Sequence, residues 1–144
     1  MKLEWLSFLV SLVPFVELRG AFFMAAVFYP LEVALVGCVV LNILVVPIAF
    51  LIIDFILPRL ASRYKTIDGF FRWARRRAEN HGNLTFSMLL LFVAVPIPGS
   101  GAYTGSLIAC VTGMKRSRAF IAISLGVLFA GLILYSIVKM TYAS

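Results

Sequence analysis

Residues 84–114 read LTFSMLLLFVAVPIPGSGAYTGSLIACVTGM, and the fold turns on how this stretch is cut. Pro96 and Pro98 lack amide donors and crowd the preceding turn, while Gly99 and Gly101 loosen the backbone around Ser100. The apolar run therefore divides into Leu84 to Val95 and Ala102 to Gly113, each about 18 Å long as a helix. A hydrocarbon core is about 30 Å thick, so neither piece crosses it alone. Two readings remain open at this point. One is a single kinked span. The other is a re-entrant hairpin with its tip at Pro98-Gly99.

Charge on either side of the stretch favours the hairpin. Before it come Arg59, Arg63, Lys65, Arg72, Arg75, Arg76 and Arg77, opposed by Asp68 and Glu79. After it comes Lys115-Arg116-Ser117-Arg118. Basic residues collect on the cytoplasmic side of a membrane, and a hairpin keeps both clusters there.

Further out, Leu31 to Leu57 and Ala119 to Val138 are continuous apolar runs of spanning length. Trp5 to Tyr29 is apolar but interrupted by Glu17-Leu18-Arg19-Gly20. Val13-Pro14-Phe15 and Gly20-Ala21-Phe22 echo Val95-Pro96-Ile97 and Gly101-Ala102-Tyr103. Each half then reads as a hairpin followed by one span, with the second half inverted relative to the first. Broken helices in inverted repeats are a recurring plan of transporters. The predicted fold is thus an all-α integral membrane protein. It has two re-entrant helical hairpins and two full transmembrane helices in an inverted repeat, plus a basic amphipathic cytoplasmic linker helix. Residues 1–144 form one membrane domain, made of 1–58, 59–83 and 84–144.

Composition agrees. Of 144 residues, 62% are hydrophobic and 13% charged. A soluble domain carries roughly 25% charged residues, so this chain cannot coat a water-facing surface. The formal charge of +7 does not point to nucleic acid, because the cations sit in short breaks between apolar runs. Cys38 and Cys110 lie within apolar runs and offer no ligand spacing, so they read as packing residues, with no metal site and no cofactor. Lys2 and the run after it lack a small-x-small cleavage site, which argues against a signal peptide. In the linker, Leu60, Tyr64, Ile67, Phe71, Ala74 and Ala78 recur at helical spacing with arginines between, as on a helix lying against an anionic leaflet. Asp68-Gly69 is expected to divide it into two short helices. Gly82 is expected to end it, and Asn83 to cap the next helix.

The polar residues at membrane depth are the candidates for chemistry. Glu17 and Arg19 are costly there, at roughly 2.5–3.5 kcal/mol each on insertion scales, and such residues face a cavity or a partner. The alternative is a Glu–Arg pair that only ties the hairpins together. A helix restarting near Gly101 turns its free amides and positive dipole end into the membrane, which suits an anion. Ser100 could cap that helix or bind a ligand oxygen, and Tyr103 and Thr104 add hydroxyls. The plainer reading is a kink whose amides the facing hairpin satisfies. Asn42, inside the first span, could bond to an unwound hairpin, and Asp54 can pair with Arg59. His81 reads as interfacial. No nucleophile–base pair or nucleotide loop is visible, so nothing supports an enzyme and no catalytic residue is assigned.

Glu17-Leu18-Arg19-Gly20-Ala21, and the segment from Phe92 through Pro96-Ile97-Pro98-Gly99-Ser100-Gly101-Ala102-Tyr103-Thr104 to Gly105, resemble the two signature segments of the small multidrug export protein family. That family is similar to the DedA/VTT superfamily. The likeness runs over most of the chain in order and spacing. It departs at Phe23, where the family typically has proline. The resemblance implies two re-entrant hairpins facing each other from opposite sides. For the superfamily it implies scrambling of phospholipids and recycling of polyprenyl phosphate carriers, with coupling to the proton-motive force. The family's name implies efflux of small molecules.

Three functions are in contention. The leading one is a transporter or flippase for an anionic amphiphile such as a phosphate-bearing lipid. Arg19 and the amides of Ser100 to Ala102 would hold the head, with Glu17 carrying a proton. The second is an efflux protein for cationic drugs that uses Glu17. The third is a membrane-organising scaffold that transports nothing. The expected partners are membrane lipids and protons. A homodimer is plausible, because so small a bundle has difficulty enclosing a path. The expected location is a prokaryotic plasma membrane with the basic linker in the cytoplasm.

Overall fold

The computed structural model describes residues 17–80, 82–97 and 100–143; inside its helices some side chains, including those of Glu17 and Arg19, lie outside that description. The first predicted hairpin is therefore described only from Glu17 onward. All regular structure among the described residues is helical: α1 (Glu17–Phe28), α2 (Leu31–Arg63), α3 (Lys65–Glu79), α4 (Gly82–Ala94), α5 (Ala102–Val111) and α6 (Arg116–Ala143).

α2 and α6 form the frame. Leu31–Ile56 and Arg116–Thr141, with mean hydropathies of 2.9 and 2.5, are long and apolar enough to cross a membrane. They lie antiparallel. Arg116 pairs with Asp54 at one end. At the other, the Tyr135 hydroxyl donates to Oε1 of Glu32 at 3.2 Å. About one turn in from the Tyr135 contact, a Cβ placed on Gly131 would lie 2.9 Å from both Leu35 Cδ1 and Val39 Cγ2. We call the Asp54–Arg116 end the basic end, because α3 and the start of α6 bring their cations there.

The shorter helices fill this frame. α4 runs parallel to α6: Arg118 lies 5.9 Å from the Phe86 ring, and further along Val93 packs against Gly126. α5 runs back. Gly105 faces Val93 and Ile123, and one helix length later Arg116 reaches Cys110 Sγ at 3.7 Å. Thr85, near the start of α4, consequently lines one cavity with the Thr112–Lys115 turn that follows α5. On the other side, Leu18 lies 3.8 Å from the same Gly131 Cβ position. From that level α1 runs out to the turn at Tyr29 and Pro30 beside the Glu32 end. So α1 and α5 both start within the bundle, α1 nearer the Glu32 end, and run toward opposite ends.

The bundle is packed with small residues and coated with large apolar ones. Ala21, Ala25, Ala34, Ala102, Ala122 and Ala130 are buried, whereas Val27, Leu51 and Met140 are 73%, 72% and 74% exposed. Between helices in lipid there is no hydrophobic driving force, so close van der Waals approach of small-residue surfaces holds them together.

Three local expectations change. α2 does not stop at Leu57 but continues through Pro58 to Arg63, with Pro47 also inside it. One proline deletes one backbone bond, and the apolar helix formers on either side carry the helix across. The linker is not divided at Asp68-Gly69, because α3 is continuous there. Arg72 and Asp68 form an i,i+4 pair at 2.8 Å across the glycine, and one exposed glycine costs only about 1 kcal/mol. Finally, Gly82 opens α4 rather than closing α3, so Asn83 lies inside the helix it was expected to cap.

Candidate functional site

The site begins at the break between α4 and α5. α4 ends at Ala94, and the chain then folds on itself: Ile97 N–H bonds to Val95 O at 2.8 Å and Ser100 N–H to Ile97 O at 3.2 Å. Ser100, only 4% exposed, places its hydroxyl 2.8 Å from Val95 O and 2.9 Å from Ile97 O. These carbonyls lie just beyond the end of α4. Ser100 therefore staples the break and does not cap α5. The N-cap is Gly101, which has no side chain with which to cap the helix. Pro96, Tyr103 and Thr104 are half-buried and Ala102 is fully buried. Pro98 and Gly99 lie outside the described residues.

Asn42 faces this level from α2. It is 1% exposed, and its Nδ2 has no hydrogen-bond partner. Its depth follows from its neighbours. Val39 sits opposite Gly131, and Asn42 lies about one turn nearer the basic end. Gly105 sits opposite Ile123, and Ala102 lies about one turn nearer the middle. Asn42 and the first turn of α5 are thus level to within about one helical turn, on helices that pack together. The expected bond from Asn42 to an unwound hairpin is not made by Nδ2. A buried donor left unpaired costs about 1–3 kcal/mol, which makes Asn42 the sharpest polar feature of the described interior. Ser124 Oγ, on α6, is a second buried group without a partner.

Glu17 and Arg19 belong by backbone to the first turn of α1, between residues that are well placed. Leu18 is 4% exposed and Ala21 is fully buried. That turn is level with Gly131, inside the bundle about one turn from the Tyr135 contact, and the two charged side chains lie outside the described residues.

At the basic end the structure reassigns Asp54. Its partner is Arg116, not Arg59. Arg59 donates to Phe55 O at 3.1 Å and lies 3.5 Å over the Phe55 ring. Arg116 also lies 4.7 Å over the Phe50 ring. Above this pair, α3 roofs a groove of about 530 Å³ lined by Asp54, Asp68, Arg72, Arg75, Glu79 and Arg116 among others. Sequence reasoning followed the apolar stripe of the linker and missed the polar one. Residues 68, 72, 75 and 79 recur at helical spacing, and that signal was available. His81 lies outside the described residues. Cys38 and Cys110 are both free, and no group of metal-ligating side chains occurs among the described residues.

No curated protein and no solved structure matches the chain. A family described as "Putative small multi-drug export protein" matches residues 17–133. The match opens at Glu17, at the start of α1, and runs through the broken α4–α5 pair into α6. Taken with two helices of membrane-crossing length, this coverage means that the chain is a membrane protein and belongs to the small multidrug export protein family.

Proposed function

We propose that the protein is a transporter or flippase for an anionic amphiphile, a phosphate-bearing lipid of the phospholipid or polyprenyl phosphate type, coupled to protons. The observation that carries this reading is the Asn42 amide. It is a fully buried donor without an acceptor, level with a helix start whose N-cap is a glycine. Donors and a positive dipole end at one depth suit an oxyanion. In this reading α4 and α5 are a re-entrant hairpin inserted from the cytoplasmic, basic side. α1 and the residues before it are its counterpart from the other face, so the halves form an inverted repeat. Arg19 grips the phosphate with its planar fork, and Glu17 carries the proton. The segment Pro96 to Thr104 shapes the pocket. The protein acts as a homodimer in a prokaryotic plasma membrane, and it transports without chemical change to its cargo.

The family's printed description favours a second reading, export of small cationic compounds with Glu17 as the cation and proton site. Reconstitution with fluorescent phosphate lipids and cationic dyes, with and without a proton gradient, separates the two. Asn42→Leu should slow transfer of the phosphate lipid at least about tenfold while leaving the protein folded and no less stable, because it removes an unpaired buried donor. Glu17→Gln should abolish the gradient-driven component, and Arg19→Lys should weaken lipid transfer although it keeps the charge. Transport of the dyes but not of phosphate lipids would replace this reading with efflux. Full lipid transfer by a Glu17→Gln, Arg19→Met double variant would remove the pair from the mechanism and leave the scaffold.

A further inference from the structure

α3 lays a stripe of charge over the basic end. Asp68, Arg72, Arg75 and Glu79 share its inner face and line the groove together with Asp54 and Arg116. Most of these charges are already matched. Arg72 holds Asp68 at 2.8 Å, and Arg116 holds Asp54. Arg75 and Glu79 are left, with no ion pair among the described residues. They stand one turn apart, about 6 Å along the axis. Their order on the helix, with the cation N-terminal to the anion, is the less favourable one for pairing.

The stem of Arg75 has another support. A Cβ on Gly113 would lie 3.2 Å from Arg75 Cγ and 3.4 Å from its Nε, so the side chain rests on the turn between α5 and α6. That turn needs its glycine, because Gly113 has a φ of 69°. Glu79 lines this groove and also the adjoining cavity of about 280 Å³, which Lys115 and Arg118 border. The groove is also lined by apolar residues, Phe50, Pro58, Ala109 and Met114.

We propose that this groove binds the head group of a zwitterionic amphiphile, with a phosphate on Arg75 and a primary ammonium on Glu79. Three arginines and three carboxylates line the groove, so its charges balance, and a pure anion or a pure cation leaves one of the two free groups unsatisfied. A head that carries both charges about one turn apart satisfies both. The tail leaves along Phe50 and Met114 toward the lipid-facing side. This site is separate from the mid-bundle level, and its occupancy is measured without any transport.

The test is isothermal titration calorimetry on the full chain in detergent. The probes are short-chain phosphatidylethanolamine, phosphatidylcholine and phosphatidic acid below their micelle concentrations, together with free phosphoethanolamine. Wild type should bind phosphatidylethanolamine at least about tenfold more tightly than the other two lipids. The quaternary ammonium of choline cannot donate to Glu79, and phosphatidic acid has no ammonium. Arg75→Gln should weaken phosphatidylethanolamine at least about tenfold. Glu79→Gln should erase its preference over phosphatidylcholine. Binding of phosphatidylethanolamine without free phosphoethanolamine supports the proposal and assigns the site to a lipid. Comparable binding of both supports it with the head group as the whole ligand. Equal affinity for the three lipids, or full binding by Arg75→Gln, overturns it, provided circular dichroism shows each variant as helical as wild type.

Discussion

The middle of the bundle and its basic end are built on opposite terms. In the middle, helices meet through glycine and alanine, with a few small buried polar side chains such as Asn42, Ser100 and Ser106 among them. Asn42 Nδ2 and Ser124 Oγ are left without partners there. At the basic end, contacts run through long charged side chains that stay half in solvent, with Arg116 49% and Asp54 52% exposed. The first region is held by shape and tolerates no added atom. The second is held by charge on flexible stems and can rearrange. Substitutions at the glycines of the middle should therefore be read mainly as folding effects, and those at the charges of the basic end mainly as recognition effects.

The largest break in this contrast is expected at Gly126. A Cβ there would lie 2.7 Å from Val93 Cβ and 2.9 Å from the Leu90 carbonyl oxygen, and backbone cannot swing aside. Gly126→Leu should cost at least about 3 kcal/mol, seen as loss of monodisperse protein and of the thermal transition in detergent. A stable Gly126→Leu protein would mean that the middle is not held by shape. Next comes Gly113→Val, which forces a branched residue into the left-handed region and should cost about 1–3 kcal/mol. Gly113→Asn should recover much of that loss, because asparagine accepts this conformation. At the basic end the effects shrink. Asp54→Asn leaves Arg116 exposed to solvent and should lower stability by about 0–1 kcal/mol, less still in high salt. The smallest effect is expected for Asp68→Asn, about 0.3–0.5 kcal/mol from an exposed i,i+4 pair. It is best read as faster hydrogen exchange in α3. A larger loss at Asp54 than at Gly126 would invert the comparison.

What the sequence made legible was local. Unbroken apolar runs announced α2 and α6, and Pro96 with Pro98 marked where α4 must end. The small-residue seam could not be read, because Gly105, Gly126 and Gly131 gain their meaning from Val93, Leu35 and Val39, which lie far away in the chain. Asp54 was matched to Arg59 because sequence ranks neighbours by spacing, and its true partner is 62 residues away. Asn42 was noticed as a polar residue in an apolar run, but its missing partner is a fact of packing alone. Ser100 was placed at the right break with the wrong acceptor: the carbonyls behind it were nearer than the amides ahead. Continuity of α3 through Gly69 shows that a weak helix breaker yields to its surroundings.

Pro47 and Pro58 leave a mark on α2 that side chains do not show. Each proline ring silences one rung of the backbone ladder, so the carbonyls of Ile43 and Asp54 lose the amide donors they would have had. One silent rung is at Ile43, the residue that follows Asn42. The other sits at the residue that holds Arg116. The two contrasted regions thus share one backbone defect on a single helix, each with a carbonyl free to take a proton donor. In isotope-edited infrared spectra, ¹³C=¹⁸O labels at Ile43 and Asp54 should absorb apart from the helical amide I band of their neighbours. Only the Asp54 label should shift readily when the surrounding water is exchanged for deuterium oxide.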